Sequence, residues 1–65
     1  MNLKNARIRA GLTQEEVAEK LKIDQSAISL WETGRNGPKV SRLPEIAKLF
    51  GTTIDELLKE EEEDG

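Results

Sequence analysis

Residues 14–33 read QEEVAEKLKIDQSAISLWET and contain two short helical patterns separated by only a few residues. Val17, Ala18 and Leu21 share one face of the first pattern, and Ile28 and Trp31 share one face of the second. Because the connection is so short, the two helices cannot lie antiparallel and must cross at a steep angle. The crossing leaves the opposite face of the second helix pointing outward.

Capping residues mark the ends of both helices. Thr13 and Glu16 form a capping box, so the first of these helices begins at residue 14. Asp24 is a good N-cap for the second helix, and Gly34 suits the position just beyond its end. We therefore predict helices over residues 14–22 and 25–33.

The flanking sequence predicts three further helices, over residues 3–10, from about residue 41 to 50, and after residue 53. Thr53 with Glu56 repeats the capping-box pattern at the start of the last helix. No alternation typical of a strand occurs. The predicted fold is all-α, with five short helices around one core. The residues expected to face that core in the flanking helices are Leu3, Ala6, Ala10, Leu43, Ile46, Ala47, Phe50, Ile54, Leu57 and Leu58.

Composition excludes several classes of protein. The 65 residues include no cysteine and no histidine, so neither a disulfide nor a zinc site is predicted. The sequence also lacks tyrosine and a phosphate-cradling glycine loop, and we predict no enzyme activity and no cofactor. No apolar run approaches the length of a membrane span, and no secretory signal opens the sequence, so we expect a cytoplasmic protein.

The net charge of −3 is unevenly distributed along the chain. Five of the thirteen acidic residues lie in residues 60–64, whereas residues 1–59 hold ten basic and eight acidic residues, a net charge of +2. We therefore predict a mildly basic domain over residues 1–59, which is compatible with binding DNA, and an acidic tail over residues 60–65. The tail is either a solubilising end or a segment that competes with DNA or binds a partner.

A pattern of capping, apolar and glycine positions extends over about residues 3–58. It comprises Leu3-Lys4, Arg7, Gly11-Leu12-Thr13-Gln14, Val17-Ala18, Leu21, Ile28-Ser29, Trp31-Glu32, Gly34, Pro38, Ile46-Ala47, Gly51 and Ile54-Asp55-Glu56-Leu57-Leu58. This pattern resembles the Cro/repressor-type (XRE-type) helix-turn-helix family of phage and bacterial transcription regulators. The resemblance implies a lambda-repressor-like DNA-binding domain. One departure is Lys22, where the family usually has glycine in a left-handed conformation; the substitution costs about 1 kcal/mol.

The resemblance assigns base reading to the exposed face of the third helix. Gln25, Ser26 and Leu30 match the family's base-reading positions, and Ser29 lies on the same face. A glutamine can bond to adenine in a bidentate manner, a serine can pair with most base edges, and a leucine can contact a thymine methyl group. The alternative is an ordinary solvated helix face.

Phosphate contacts are expected at the start of the second helix and after the third. The residues assigned to the DNA backbone are Gln14, Thr33, Arg35, Asn36 and Lys39. Simple helix capping is the alternative for Gln14, and a surface position without a role is the alternative for each loop residue. By the same resemblance, Arg7 and Glu32 match a partly buried ion pair, with two unrelated surface charges as the alternative. Trp31 shares a face with Ile28 and is expected in the core rather than against a base.

These observations predict a sequence-specific DNA-binding transcription regulator, a repressor, that binds double-stranded DNA as a weak two-fold dimer. No membrane association and no small-molecule effector are expected. The alternative is an antitoxin-like or other protein-interaction module on the same fold.

Overall fold

The computed structural model describes residues 1–59, and this range is helical and contains no strand. The elements are α1 (Leu3–Arg9), α2 (Gln14–Leu21), α3 (Gln25–Glu32), a 3-10 turn (Val40–Arg42), α4 (Leu43–Phe50) and α5 (Ile54–Leu58). The predicted all-α fold with five helices is confirmed. The acidic tail predicted at residues 60–65 lies outside the described residues.

The first four helices end in the same way. After α2, the N–H of Ile23 donates to the carbonyl of Ala18 at 3.0 Å, and the N–H of Lys22 donates to Glu19 at 3.3 Å. This paired arrangement requires a left-handed residue just after the helix. Lys22 fills that position after α2 with a φ of 58°, as its alignment with the family's glycine predicts. The corresponding residues after α1, α3 and α4 are Gly11, Gly34 and Gly51.

The core lies where α2 crosses α3 and where α1, α4 and α5 close over that crossing. Its buried members are Leu3, Val17, Ala18, Leu21, Ile28, Ile46, Ala47 and Leu57. Ala18 is buried at 6% exposure, and its small side chain suits the close approach of α2 and α3. Trp31 is half-buried and packs against this core, as predicted.

The fourth helix starts later than predicted. Residues 40–42 form a 3-10 turn, in which the N–H of Arg42 donates to Lys39 at 2.8 Å, and α4 begins only at Leu43. The reason is Pro44, which has no N–H and so cannot donate to the carbonyl of Val40 as an α-helix through these residues would require. Pro44 lies in the first turn of α4, where this loss costs little.

The predicted caps differ in how fully they form. The Thr13 box is complete, since the N–H of Thr13 donates to Glu16 Oε1 at 2.9 Å and the N–H of Glu16 donates to Thr13 Oγ1 at 3.1 Å. In the Thr53 pattern, the hydroxyl accepts the N–H of Glu56. The Glu56 carboxylate, however, pairs with Lys59 Nζ at 3.0 Å instead of accepting the N–H of Thr53. The Glu56 carboxylate therefore forms an ion pair with Lys59 instead of capping the start of α5.

Two hydrogen bonds join elements that are far apart in the sequence. The N–H of Asn2 donates to the carbonyl of Leu57 at 3.0 Å, which joins the start of the chain to α5. Arg42 Nη1 donates to the carbonyl of Leu21 at 3.1 Å, which ties the turn before α4 to the end of α2. None of the helices within residues 1–59 combines the length and the apolar character that crossing a lipid bilayer requires.

Candidate nucleic-acid interface

The outward face of α3 carries the four side chains that the sequence assigned to base reading. Ile28 is buried against α2, so the residues on the opposite side of the helix face outward. Leu30 is a large apolar side chain on this face and is 40% exposed. The exposed residues of this face are Gln25, Ser26, Ser29 and Leu30.

An ion pair joins α1 to the last residue of α3. Arg7 Nε donates to Glu32 Oε2 at 2.6 Å, and Arg7 Nη2 donates to Glu32 Oε1 at 3.2 Å. The remaining guanidinium nitrogen, Nη1, donates to the carbonyl of Leu12 at 2.9 Å. The side chains of Arg7 and Glu32 are only 13% and 5% exposed. The pair is therefore a bidentate, largely desolvated contact, which restricts both side chains to one geometry.

The environment of Glu32 acts on its ionisation in two opposing ways. Burial disfavours the charged carboxylate and by itself raises the pKa of Glu32. Hydrogen bonds from Arg7 and Gln14, together with the positive charge of Arg7, outweigh the burial, and the pKa of Glu32 is lowered below its usual value of 4.5. Glu32 therefore remains a hydrogen-bond acceptor at neutral pH.

A chain of amide hydrogen bonds runs from this ion pair to the first residue of α3. Gln14 Nε2 donates to Glu32 Oε1 at 3.0 Å, and Gln25 Nε2 donates to Gln14 Oε1 at 3.3 Å. A carboxylate can only accept, so Gln14 must turn its NH₂ group toward Glu32 and its oxygen toward Gln25. That oxygen in turn requires the NH₂ group of Gln25. The Arg7–Glu32 charge pair thus determines the orientation of both amides.

The bridging role of Gln14 was not predicted from the sequence, which assigned this residue to phosphate or to capping. Gln14 and Gln25 each begin a helix, and both carry a long amide side chain. That was the available signal, but only the crossing of α2 over α3 brings the two helix starts within hydrogen-bond distance.

The residues after α3 differ in what their side chains do. The Thr33 hydroxyl donates to the carbonyl of Leu30 at 3.1 Å, and Asn36 Oδ1 accepts the N–H of Gly37 at 2.9 Å. Arg35 and Lys39 are exposed and form no ion pair with another residue in the range 1–59. The two cations are the residues of this loop that are placed to meet an anionic partner.

The described part of the chain shows neither a metal-ligand cluster nor an unpaired buried polar side chain. Among residues 1–59, no group of histidine, cysteine or acidic side chains is arranged to hold a metal ion. In the same range, every buried polar side-chain atom has a hydrogen-bond partner. The candidate site is the outward face of α3 with the loop that follows it, because the amide chain ends on that face and the exposed Arg35 and Lys39 lie in and just after the loop.

Comparison with known proteins identifies the family. The profile described as Helix-turn-helix matches residues 3–57, nearly the whole of the described range. This chain belongs to the XRE-type helix-turn-helix family. The expectation drawn from the sequence pattern is confirmed.

Three curated relatives are similar over most of this chain. It is 48% identical to the HTH-type transcriptional activator BcrR of Enterococcus faecalis over 94% of its length, which is 31% of that protein. It is 38% identical to the HTH-type transcriptional regulator ImmR of Bacillus subtilis; the match covers 92% of this chain and 47% of ImmR. It is 30% identical to the cryptic phage CTXphi transcriptional repressor RstR of Vibrio cholerae; the match covers 92% of this chain and 54% of RstR.

The chain therefore spans from about a third to about half the length of these relatives. No solved structure gives a significant match to it.

Proposed function

We propose that this helix-turn-helix protein binds double-stranded DNA at specific sequences, with α3 in the major groove, and thereby regulates transcription. The observation that carries the proposal is the hydrogen-bonded chain from Arg7 through Glu32 and Gln14 to Gln25. A side chain held in one orientation before binding loses less conformational entropy on contact, and it discriminates better between hydrogen-bonding patterns. A solvated helix face has no need of such a constraint.

The orientation of the Gln25 amide suits adenine. One hydrogen of Nε2 is used by Gln14, which leaves the second hydrogen and the oxygen Oε1 available. Adenine presents an acceptor at N7 and a donor at N6 in the major groove, so the two remaining groups match it. We therefore assign Gln25 to an adenine in each half-site, with Ser26, Ser29 and Leu30 on the same exposed face reading neighbouring bases.

Phosphate contacts would set the register of α3 on the duplex. The side chain of Gln14 is occupied by its bridge, so this position would meet a phosphate through its backbone N–H at the start of α2. Arg35, Lys39 and the amide NH₂ of Asn36 would follow the backbone beyond α3. A contact from Thr33 would require its hydroxyl to leave the carbonyl of Leu30.

Repression is the mode of regulation that we assign. A bound domain of this kind occupies its groove and excludes other proteins from the same site, and no further surface is needed for that effect. The relative RstR carries the name of a repressor, whereas BcrR carries the name of an activator. A reporter gene with the selected site across its promoter distinguishes the two: falling expression supports repression, and rising expression contradicts it.

The assembly on DNA follows from the single recognition helix of each chain. Two copies related by two-fold symmetry would place their α3 helices in successive major grooves, about 34 Å apart. Exposed apolar side chains around the loop after α3 and on α5 suit a small contact: Val40 is 80% exposed and Leu58 is 50% exposed. Leu57 is fully buried, so only Leu58 of that pair can contribute. We infer a weak interface, below about 1,200 Å².

The remaining assignments rest on the same proposal. Residues 1–59 would be the DNA-binding domain and residues 60–65 an acidic tail, with no catalytic role and no effector site. A protein that regulates bacterial or phage transcription acts where the DNA is, which in a bacterium is the cytoplasm.

Selection of bound sites from random duplex DNA tests the proposed function. We expect a pseudo-palindrome with an adenine in each half-site, and we expect the Gln25→Ala variant to lose the preference at that adenine alone. A pool that shows no enrichment would overturn the proposal. A stoichiometric protein partner combined with only nonspecific DNA affinity would favour the protein-interaction alternative.

A further inference from the structure

The loop after α3 contains the dipeptide Asn36-Gly37, and both of its residues are exposed. An asparagine followed by glycine is especially prone to deamidation, because glycine has no Cβ to keep its backbone nitrogen away from the asparagine side chain. The two other asparagines of the chain, Asn2 and Asn5, are followed by leucine and alanine. Asn36 is therefore the asparagine that the sequence protects least.

The side chain of Asn36 is already turned toward the nitrogen of the next residue. Asn36 Oδ1 accepts the N–H of Gly37 at 2.9 Å, and Oδ1 is bonded directly to Cγ, so this nitrogen also lies close to Cγ. In the described part of the chain, no other group accepts the N–H of Gly37. The nitrogen that follows Asn5 differs, because the N–H of Ala6 is held by the carbonyl of Asn2 at 3.1 Å.

The surroundings of the dipeptide leave room for a ring to form. Residues 33–39 lie between α3 and the 3-10 turn and belong to no helix. A methyl group added at Gly37 would meet no atom outside the adjoining residues within 4 Å, so no other element packs closely there. Ring closure between Asn36 and Gly37 therefore displaces no packed structure.

We infer that Asn36 is a site of spontaneous deamidation and that this reaction weakens binding to the DNA backbone. The nitrogen of Gly37 loses its proton to water and attacks Cγ of Asn36. As the N–Cγ bond forms, the Cγ–Nδ2 bond breaks, and the departing NH₂ group takes a proton from water and leaves as ammonia. Water then opens the resulting succinimide at either carbonyl, which gives aspartate or isoaspartate.

The consequence for DNA rests on the proposed function, in which this loop follows the phosphates. Because Oδ1 is used by Gly37, the NH₂ group is the part of Asn36 that is free to donate to a phosphate. The carboxylate that replaces it cannot donate, and its negative charge repels phosphate. The new charge lies between Arg35 and Lys39, and the net charge of residues 1–59 falls from +2 to +1.

The first experiment measures the reaction without DNA. The full chain is incubated for days in mildly alkaline buffer and digested with trypsin, which releases residues 36–39 by cleavage after Arg35 and Lys39. We expect this peptide to gain the mass that separates a hydroxyl from an amide NH₂, and to become a substrate for an isoaspartyl methyltransferase. Conversion should be faster at higher pH. The tryptic peptide of residues 5–7, which contains Asn5, is the internal control and should remain unchanged.

Gly37→Ala is the matched variant for the reaction. The φ of Gly37 is not positive and the added methyl group has open space, so the fold should persist, which helical circular dichroism checks. The methyl group hinders the approach of the nitrogen to Cγ, and conversion should slow about tenfold, which corresponds to about 1.4 kcal/mol in the barrier. Asn36→Asp carries the charge of the product from the start.

The second experiment measures binding to the selected duplex and to random DNA. The incubated protein and Asn36→Asp should bind both duplexes about tenfold more weakly at low salt, because a phosphate contact is lost on any sequence. The slope of log affinity against log salt concentration should fall by about one. Gly37→Ala incubated in the same way should bind as it did when fresh.

The outcomes separate this inference from the proposed function. A peptide of residues 36–39 that converts no faster than the control peptide, or equally fast in Gly37→Ala, would overturn the modification site. Conversion that leaves the affinity for both duplexes unchanged would overturn the effect on DNA binding, while the selected sequence keeps the proposed function standing. Failure to select any site with fresh protein would overturn the proposed function itself, whereas the peptide masses would still decide the modification.

Discussion

Gln14, the first residue of α2, donates from Nε2 to Oε1 of Glu32, the last residue of α3, at a distance of 3.0 Å. The same oxygen accepts a hydrogen bond from Arg7 Nη2 at 3.2 Å. One carboxylate therefore serves both the ion pair that joins α1 to α3 and the amide that positions Gln25. Because the two contacts share an acceptor, the ion pair is coupled to the orientation of the Gln25 amide.

The first prediction concerns base reading by Gln25. Gln25→Ala should lose about 1–3 kcal/mol of binding free energy at the selected site and much less on random DNA, because a bidentate base contact is lost while phosphate contacts remain. Titrations of both duplexes at one salt concentration measure the difference. Equal losses on the two duplexes would show that Gln25 does not read a base.

The second prediction concerns the Arg7–Glu32 pair. Arg7→Met or Glu32→Leu alone should cost about 3 kcal/mol or more of unfolding free energy, because each leaves a buried charge without its partner. The double variant should cost far less than the sum. A chain of this size has only about 3–5 kcal/mol of stability, so urea unfolding should be followed in sucrose, which stabilises folded proteins. Strict additivity of the two losses would rule out the pairing.

The third prediction concerns how the folding stability depends on Glu32 at acid pH. The pKa of Glu32 is lowered in the folded protein, so the stability that it contributes is present above the unfolded value of 4.5 and is lost as the pH falls through the folded value. Glu32→Gln should therefore flatten the fall in stability below about pH 4.5. Glu19→Gln, at an exposed position on α2, is the control and should follow the original protein. An unchanged acid profile in Glu32→Gln would contradict the assignment.

The fourth prediction concerns the left-handed residue after α2. Lys22→Gly should raise the unfolding free energy by about 0.5–1 kcal/mol, because it relieves a strained φ of 58° at the cost of a more flexible unfolded chain. Lys20→Gly, inside the same helix, should lower it by about 1 kcal/mol. Urea midpoints measure both. The strain argument fails if both substitutions destabilise the protein equally.

The fifth prediction concerns assembly on DNA. Binding to a duplex with two half-sites should be cooperative, and insertion of about five base pairs between them should abolish the cooperativity by turning one site to the opposite face. In dilute solution without DNA, sedimentation should give mostly monomer. Non-cooperative binding that is the same on both duplexes would mean that the protein binds as a monomer.

Local sequence chemistry determined the helices and most of their ends. The Thr13 capping box and the glycines after α1, α3 and α4 act within a few residues of their own position, so their effects can be predicted without a partner element. Most core residues follow from apolar spacing, because a helix with one apolar face buries that face. Ile54 and Leu58, which the spacing placed toward the core, are wrong predictions, since they are 36% and 50% exposed. The left-handed conformation of Lys22 was predicted from the resemblance, which has glycine at this position.

Contacts between distant residues were decided only by the tertiary structure. The bridge from Gln14 to Gln25 depends on α2 and α3 crossing so that their first residues meet, and nothing local to either glutamine specifies that distance. Likewise, whether a polar side chain turns to its own backbone or outward depends on the partners that folding brings near. Arg42 Nη1, for example, donates to the carbonyl of Leu21, which lies 21 residues earlier in the sequence. Spacing can place such groups on a surface, but their hydrogen-bonding state is a property of the folded chain, because each donor and acceptor is shared among competing neighbours.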